Sequence, residues 1–199
     1  MRKIYHHHEN PIDHIILNNC DKLIPHCNNY NITPNMITIF RFILGVYILY
    51  YLYLTDDIIF TVIGSCVFYF LDCLDGHLAR STNQVTQLGD YLDHSADIFI
   101  IGGLILYCLI NSSNKILVGT LIFSSLYLTL IHLGLQQKHY NDHYNKLHGF
   151  YPPYEILEEF NCLHNLDNHH IMWTRFFGNG TFIMLIIYSV YIIKSNIQL

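Results

Sequence analysis

Five long apolar stretches constrain the fold of this chain more than any other feature. They cover residues 36–54, 58–71, 98–110, 116–135 and 176–193. A helix needs about 20 mostly apolar residues to cross a bilayer. Only 13% of the residues are charged, whereas soluble domains usually carry about a quarter. The pattern therefore predicts an all-α integral membrane protein, a bundle of five to six transmembrane helices.

Two polar segments lie outside these stretches. Residues 1–35 are polar except for an apolar patch at 12–17, and they lack the apolar run of a secretory signal. We predict that they form a cytoplasmic N-terminal segment with an amphipathic interfacial helix, followed by one membrane domain over 36–199. The second segment, 136–173, is too polar to cross a bilayer. Its acidic piece at 154–160 is predicted to lie on the membrane surface.

Two of the apolar stretches, 58–71 and 98–110, are too short to span by themselves. Each reaches spanning length only if its helix extends into the polar residues between them, forward to about residue 79 and back to about residue 90. Ionisable residues within membrane helices are rare and usually functional. These extensions include the carboxylates of Asp72, Asp75, Asp93 and Asp97, and that of Asp90, which simply suits the first turn of its helix.

The spacing of these aspartates predicts that they converge. Spacings of three and four residues place each pair on one helix face, and a short turn brings the two helices together. Such a cluster does not stay ionised without cations. Oxygen ligands suit Mg²⁺ or Mn²⁺ rather than zinc, and four carboxylates suit two ions. Two ions in one site are typical of in-line displacement at phosphorus.

The residues around the carboxylates resemble the signature of the CDP-alcohol phosphatidyltransferase family. The chain matches all eight fixed positions of that signature: Asp72, Asp75, Gly76, Ala79, Arg80, Gly89, Asp93 and Asp97. Residues 33–38, Thr-Pro-Asn-Met-Ile-Thr, are similar to the segment that opens the first membrane helix in this family, and Arg41 follows them. The resemblance covers about residues 33–110.

The resemblance implies transfer of a substituted phosphoryl group from a CDP-alcohol to an acceptor alcohol, with release of CMP, in phospholipid biosynthesis. It implies that the four aspartates hold two Mg²⁺ or Mn²⁺ ions and that Asp97 also takes the proton of the acceptor hydroxyl. It further implies a homodimer surrounded by membrane lipids. The residues implied at the CDP moiety are Gly76, Ala79, Arg80 and Gly89.

Four more residues are site candidates with simpler alternatives. We predict that Asn35, Thr38 and Arg41 bind substrate, although the first two also suit a helix start and Arg41 also suits contact with headgroups. His94 is a candidate catalytic residue because its ordinary pKa suits proton transfer, although it also suits a polar interface.

Two features indicate different branches of the family. The Asp-His pair at 93–94 resembles the choline and ethanolamine phosphotransferases, which use CDP-choline or CDP-ethanolamine as donor. Residues 83–86, Asn-Gln-Val-Thr, look more like the branch that uses CDP-diacylglycerol and glycerophosphate. Both branches stay open, and with them the identity of the acceptor, which is a lipid or a polar alcohol.

Basic residues indicate the orientation in the membrane. Most of them lie on one predicted side: Arg2, Lys3, Lys22, Arg41, Arg80, Lys138, Lys146 and Arg175. By the positive-inside rule this side is cytoplasmic, and the carboxylates lie at the same side. The net charge of −5 gives no support for a nucleic-acid partner.

The sequence also allows three other interpretations. Intramembrane carboxylates also suit a divalent-cation transporter, and the same fold without activity would be a membrane scaffold. A zinc site is a further interpretation of several His and Cys residues, although their spacing fits no familiar zinc pattern. These residues are His6, His7, His8, Cys162, His164, His169 and His170.

Overall fold

The structure is a computed structural model, and it describes residues 4, 6–55, 57–148 and 168–197. Over this part of the chain the secondary structure is helical and contains no strand, which confirms the predicted all-α class. The helices are α1 (Pro11–Asn29), α2 (Pro34–Leu54), α3 (Ile58–Ser81), α4 (Gln87–Asn111), α5 (Lys115–His148), α6 (Asn168–Thr174) and α7 (Asn179–Ile197). Short 3-10 turns cover His6–His8 and Arg175–Phe177. The surface piece predicted at 154–160 and two of the zinc candidates, Cys162 and His164, lie outside the described residues.

Five segments are long and apolar enough to cross a membrane, in agreement with the predicted bundle. They are Pro34–Leu54, Ile58–Ser81, Gln87–Asn111, Lys115–Gln136 and Ile171–Asn196. The two helices that were expected to extend into polar sequence do so, since α3 continues to Ser81 and α4 begins at Gln87. The protein is therefore a multi-pass membrane protein.

The fourth span agrees with the prediction, since the predicted stretch 116–135 lies within the segment Lys115–Gln136. We expected its helix to end there as well, but α5 continues to His148. Residues 136–148 contain neither glycine nor proline, so the helix has no local signal to stop where its apolar stretch ends. The last span begins at Ile171 rather than at 176, because α6 and a 3-10 turn precede α7.

The described residues fall into two compact units. One comprises Ile15–Ile122 with Ile183–Leu199, and the other comprises Arg2–His14 with Phe123–Phe182. In the first unit α2 packs against both α3 and α4. Its buried residues recur every three or four positions, which is one face of a helix. They are Pro34, Ile37, Thr38, Arg41, Gly45, Ile48 and Leu52.

Glycines allow the helices of the first unit to approach closely. A methyl group at Gly45 of α2 would overlap the side chain of Ile100 on α4. One at Gly64 of α3 would lie 2.9 Å from a side-chain carbon of Ile48 on α2. These contacts fix α2 between its two neighbours.

A buried lysine binds backbone oxygens at the C-terminal end of α2. The side chain of Lys194 on α7 is 4% exposed, and its amine donates to the backbone oxygens of Leu52 at 2.6 Å and Thr55 at 2.5 Å. The last carbonyls of a helix have no partner within the helix. Lys194 therefore supplies donors that the end of α2 requires.

The predicted amphipathic N-terminal helix is α1, which is longer than the patch at 12–17. It buries Cys20 and Cys27 against Leu74 and Leu78 of α3. In the second unit, the Asn10 side chain donates to the backbone oxygen of Arg175 at 2.7 Å. These contacts tie residues from the polar N-terminal segment to other parts of the chain within each unit.

Candidate active site

The carboxylates that the sequence placed at two helix ends come together in the first unit. Asp72 and Asp75 lie on α3, and Asp93 lies on α4. Each of these three offers a carboxylate oxygen, and the three oxygens lie within 4.8 Å of one another. Asp75 is buried and the other two are partly buried. The donor set is all oxygen and suits a hard divalent cation.

Asp97 joins this cluster through an arginine. The guanidinium of Arg41 on α2 donates from Nη1 to the carboxylates of Asp72 and Asp97, and the second of these bonds measures 3.0 Å. Nη2 donates to Asp93 Oδ1 at 2.5 Å. Nε lies 3.8 Å from Asp75 Oδ2. One guanidinium thus contacts all four carboxylates.

Arg41 does not extend to the headgroups, as one of its two interpretations supposed. It is 0% exposed, and its guanidinium carbon lies 4.9 Å from the centre of the Phe68 ring. Its ion pairs with the aspartates were not predicted, because they connect α2 to α3 and α4 and no spacing within one helix indicates them.

Thr38 positions one of the carboxylates. Its hydroxyl donates to Asp75 Oδ2 at 2.8 Å, and it also lies 3.1 Å from the backbone oxygen of Pro34. Both Thr38 and Asp75 are buried. The helix-start alternative holds only for Asn35, which lies in the first turn of α2. Neither Asn35 nor Thr38 caps the helix, because the N-cap is Thr33, whose side chain accepts from the Met36 amide.

Asn35 meets the start of α4. A methyl group at Gly89 would lie 2.9 Å from Asn35 Oδ1 and 3.0 Å from the hydroxyl oxygen of Thr86. Thr86 is the N-cap of α4 and accepts from the Gly89 amide at 3.1 Å. Any side chain at position 89 would therefore displace Asn35 or disturb the cap. The structure brings the predicted substrate residues Asn35 and Gly89 together.

The other signature residues of α3 lie at its C-terminal end. The Arg80 guanidinium lies over Gly76, where an added methyl group would be 3.2 Å from Nη1. Gly76, Ala79 and Arg80 are all partly exposed. The turn that follows places Asn83 in the left-handed region at φ 55°, a conformation that asparagine adopts more readily than most residues.

His94 lies apart from the arginine contacts. It is exposed, and its Nδ1 is 2.8 Å from the backbone oxygen of Asp90. A carbonyl oxygen only accepts hydrogen bonds, so Nδ1 carries the proton. In the neutral ring Nε2 then has the lone pair, which is the form that a general base needs.

A residue outside the predicted set also contacts this region. His77, next to Gly76, is buried, and its Nε2 lies 2.6 Å from Asp21 Oδ1 on α1. This hydrogen bond attaches the N-terminal helix to the helix that carries Asp72 and Asp75. No spacing rule relates position 21 to position 77, so the sequence held no signal for it.

Fold and site together define an integral membrane protein with clustered carboxylates near the ends of two spans. A family model described as CDP-alcohol phosphatidyltransferase matches residues 31–158. The chain belongs to the CDP-alcohol phosphatidyltransferase family, as the signature indicated.

Two curated relatives match shorter stretches. One is a Pyrococcus horikoshii protein named archaetidylinositol phosphate synthase, to which the chain is 42% identical over 66 residues. These residues make up 33% of this chain and 35% of that protein. The other is an uncharacterized protein of Aquifex aeolicus, to which the chain is 33% identical over 79 residues. These residues make up 40% of each protein. The chain thus spans well under two thirds of the length of these relatives. No solved structure matches the chain.

Proposed function

We propose that the protein transfers a substituted phosphoryl group from a CDP-alcohol to an acceptor alcohol and releases CMP, as a step in phospholipid synthesis. The observation that carries this proposal is the meeting of Asp72, Asp75 and Asp93 within 4.8 Å in a chain of this family. Family membership favours an enzyme over the cation transporter and the inactive scaffold.

The proposed reaction forms and breaks one bond each at phosphorus. The acceptor oxygen bonds to the phosphorus that carries the donor's alcohol, and the bond from that phosphorus to the CMP oxygen breaks. CMP leaves with the electron pair. The proton of the acceptor hydroxyl passes to the Asp97 carboxylate, or to Nε2 of His94 as the second candidate base. Before the ions bind, Arg41 holds the Asp97 carboxylate toward the other three.

The proposed cofactor is a pair of Mg²⁺ or Mn²⁺ ions held by the four aspartates. When bound, such ions supply neutralisation of the charge that builds on the phosphoryl oxygens. Gly76, Ala79, Arg80 and Gly89 are proposed to contact the CDP moiety, with Asn35 and Thr38 beside them. The partly exposed Arg80 fork suits a phosphate group.

The comparisons favour one acceptor class. The name of the Pyrococcus horikoshii relative supports an inositol phosphate as acceptor and a CDP-linked lipid as donor. His94 instead supports the branch with choline or ethanolamine donors. We propose the first and keep the second as its competitor. The cytoplasmic position of the site and the homodimer remain predictions.

Release of CMP by the purified full chain in detergent tests the proposal. We expect release only with Mg²⁺ or Mn²⁺ and an acceptor, and its loss with a chelator. Donors would be CDP-diacylglycerol and CDP-choline, and acceptors would be inositol phosphate, glycerophosphate and diacylglycerol. Failure of every pair would refute the proposal, and the productive pair identifies the branch.

Asp97→Asn tests the proposed base. Loss of general base catalysis should lower the rate of CMP release by at least about 100-fold while the protein remains folded and inserted. Asp57→Asn is the matched control, because Asp57 caps the other end of α3 and asparagine caps helices equally well. An Asp97→Asn rate within a few-fold of the Asp57→Asn rate would exclude Asp97 as the base.

A further inference from the structure

The arginine in the carboxylate cluster has a consequence for metal binding. Arg41 hydrogen-bonds to Asp72, Asp93 and Asp97 and lies near Asp75, so it contacts each of the residues that are close enough to share an ion. Its side chain is 0% exposed and packs on Phe68. The guanidinium therefore lies among the same oxygens that a divalent cation would need.

The fit of Arg41 to this cluster is incomplete. One positive charge faces four carboxylates, which leaves excess negative charge if all four are ionised. Among the described residues, Arg41 Nε has no hydrogen-bond partner although it is buried. Most buried polar atoms in folded proteins have a hydrogen-bond partner, so the unpartnered Nε marks an incomplete fit. The guanidinium offsets only part of the charge of the four carboxylates.

We propose that Arg41 is the internal counter-cation of the metal-free site, and that divalent ions displace its hydrogen bonds when they bind. It holds the carboxylates together before metal arrives, and it lowers the affinity of the site for metal. The inference rests on the proposed function for the presence of the metal site. It adds that the apparent metal affinity is set by competition with a residue of α2.

The competition between Arg41 and the metal ions has two measurable consequences. Because Arg41 stabilises only the metal-free arrangement, its removal should destabilise the metal-free protein and strengthen metal binding. The opposite role, in which Arg41 permanently organises the ligands for the ions, predicts weaker metal binding after its removal. The sign of the change in metal affinity therefore separates the two roles.

The experiment is Mn²⁺ titration of the purified full chain in detergent, with unbound Mn²⁺ measured by electron paramagnetic resonance. Arg41→Gln should bind Mn²⁺ at least about tenfold more tightly than the wild type. Even at the dielectric constant of water, the repulsion between a unit charge and a divalent ion at about 5 Å is large enough for a change of that size. Arg41→Lys, a point charge without the fork, should fall between them. Equal or weaker binding by both variants would overturn the inference.

Lys194→Met is the matched control. Lys194 is a second buried cation that contacts α2, but it binds carbonyls at the opposite end of that helix. Its loss should leave the Mn²⁺ affinity unchanged. If Arg41→Gln does not fold, Arg41→Lys decides the question, and tighter binding by that variant supports the inference. Tighter binding by Lys194→Met equal to that of the Arg41 variants would overturn it.

The outcomes distinguish this inference from the proposed function. Mn²⁺ binding that Asp72→Asn abolishes and the Arg41 variants leave unchanged would refute the competition and spare the metal site. Tighter Mn²⁺ binding by the Arg41 variants, together with a wild type that releases no CMP, would support the competition and refute the transferase. A wild type that neither binds Mn²⁺ nor releases CMP would refute both.

Discussion

Replacing Thr38 by valine tests whether α2 positions the carboxylates of its neighbours. The change removes the hydroxyl that donates to Asp75 Oδ2 at 2.8 Å and leaves a side chain of similar shape. The bond lies out of water, since Thr38 is 5% and Asp75 4% exposed. A hydrogen bond to a charged group contributes about 1.5–3 kcal/mol, and loss of one partner leaves the desolvation cost of the other. We expect Thr38→Val to lose about 2 kcal/mol of unfolding free energy.

Equilibrium unfolding in mixed detergent micelles measures this loss, with Thr38→Ser as the control. Serine keeps the hydroxyl and removes only a methyl group, so it should retain most of the hydrogen bond. In the valine variant Asp75 loses the donor that orients it, and CMP release should fall as well. A Thr38→Val protein within about 0.5 kcal/mol of Thr38→Ser, the usual scatter of mild substitutions, would refute the reasoning.

Two further predictions concern contacts away from the carboxylates. Lys194→Met keeps the apolar stem but removes the donors to the end of α2, so it should lower the unfolding free energy by about 1–3 kcal/mol; an unchanged transition in detergent would contradict this. Asp21→Asn weakens the pair with His77 and should speed maleimide labelling of Cys27 about fivefold, the equivalent of about 1 kcal/mol. Burial raises the pKa of the Cys27 thiol, so Cys27 reacts slowly with maleimide while α1 stays packed on α3. Peptide mass spectrometry measures the rate, and a rate equal to that of the neighbouring control Lys22→Gln would contradict the prediction.

The sequence was sufficient for the spans and for the convergence of the aspartates, since both follow from local periodicity. Two short apolar stretches had to include Asp72 and Asp93 to span at all, and spacings of three and four gave their faces. The partners of Arg41 and Lys194 were not predictable in this way. Their hydrogen bonds connect residues 31 to 143 positions apart, and such contacts depend on how helices pack rather than on any pattern within one helix.

The role of α2 explains why the signature alone describes the site incompletely. The signature lies on α3, α4 and the turn between them, yet α2 contributes none of the four carboxylates and touches all of them. Asn35, Thr38 and Arg41 follow one another at three-residue spacing. Asn35 lies against the start of α4, and Thr38 donates to Asp75. Arg41 contacts all four aspartates.

Close packing makes this arrangement rigid. The same face of α2 continues to Gly45, whose lack of a side chain admits Ile100 of α4. A shift of α2 by one residue along its axis, about 1.5 Å, would break the Thr38 and Arg41 hydrogen bonds together. The relative positions of the carboxylates therefore depend on the apolar packing of α2 as well as on their own helices. An alanine at Gly45 would displace α2 and so disturb a site about one helical turn away, without altering any residue that carries charge.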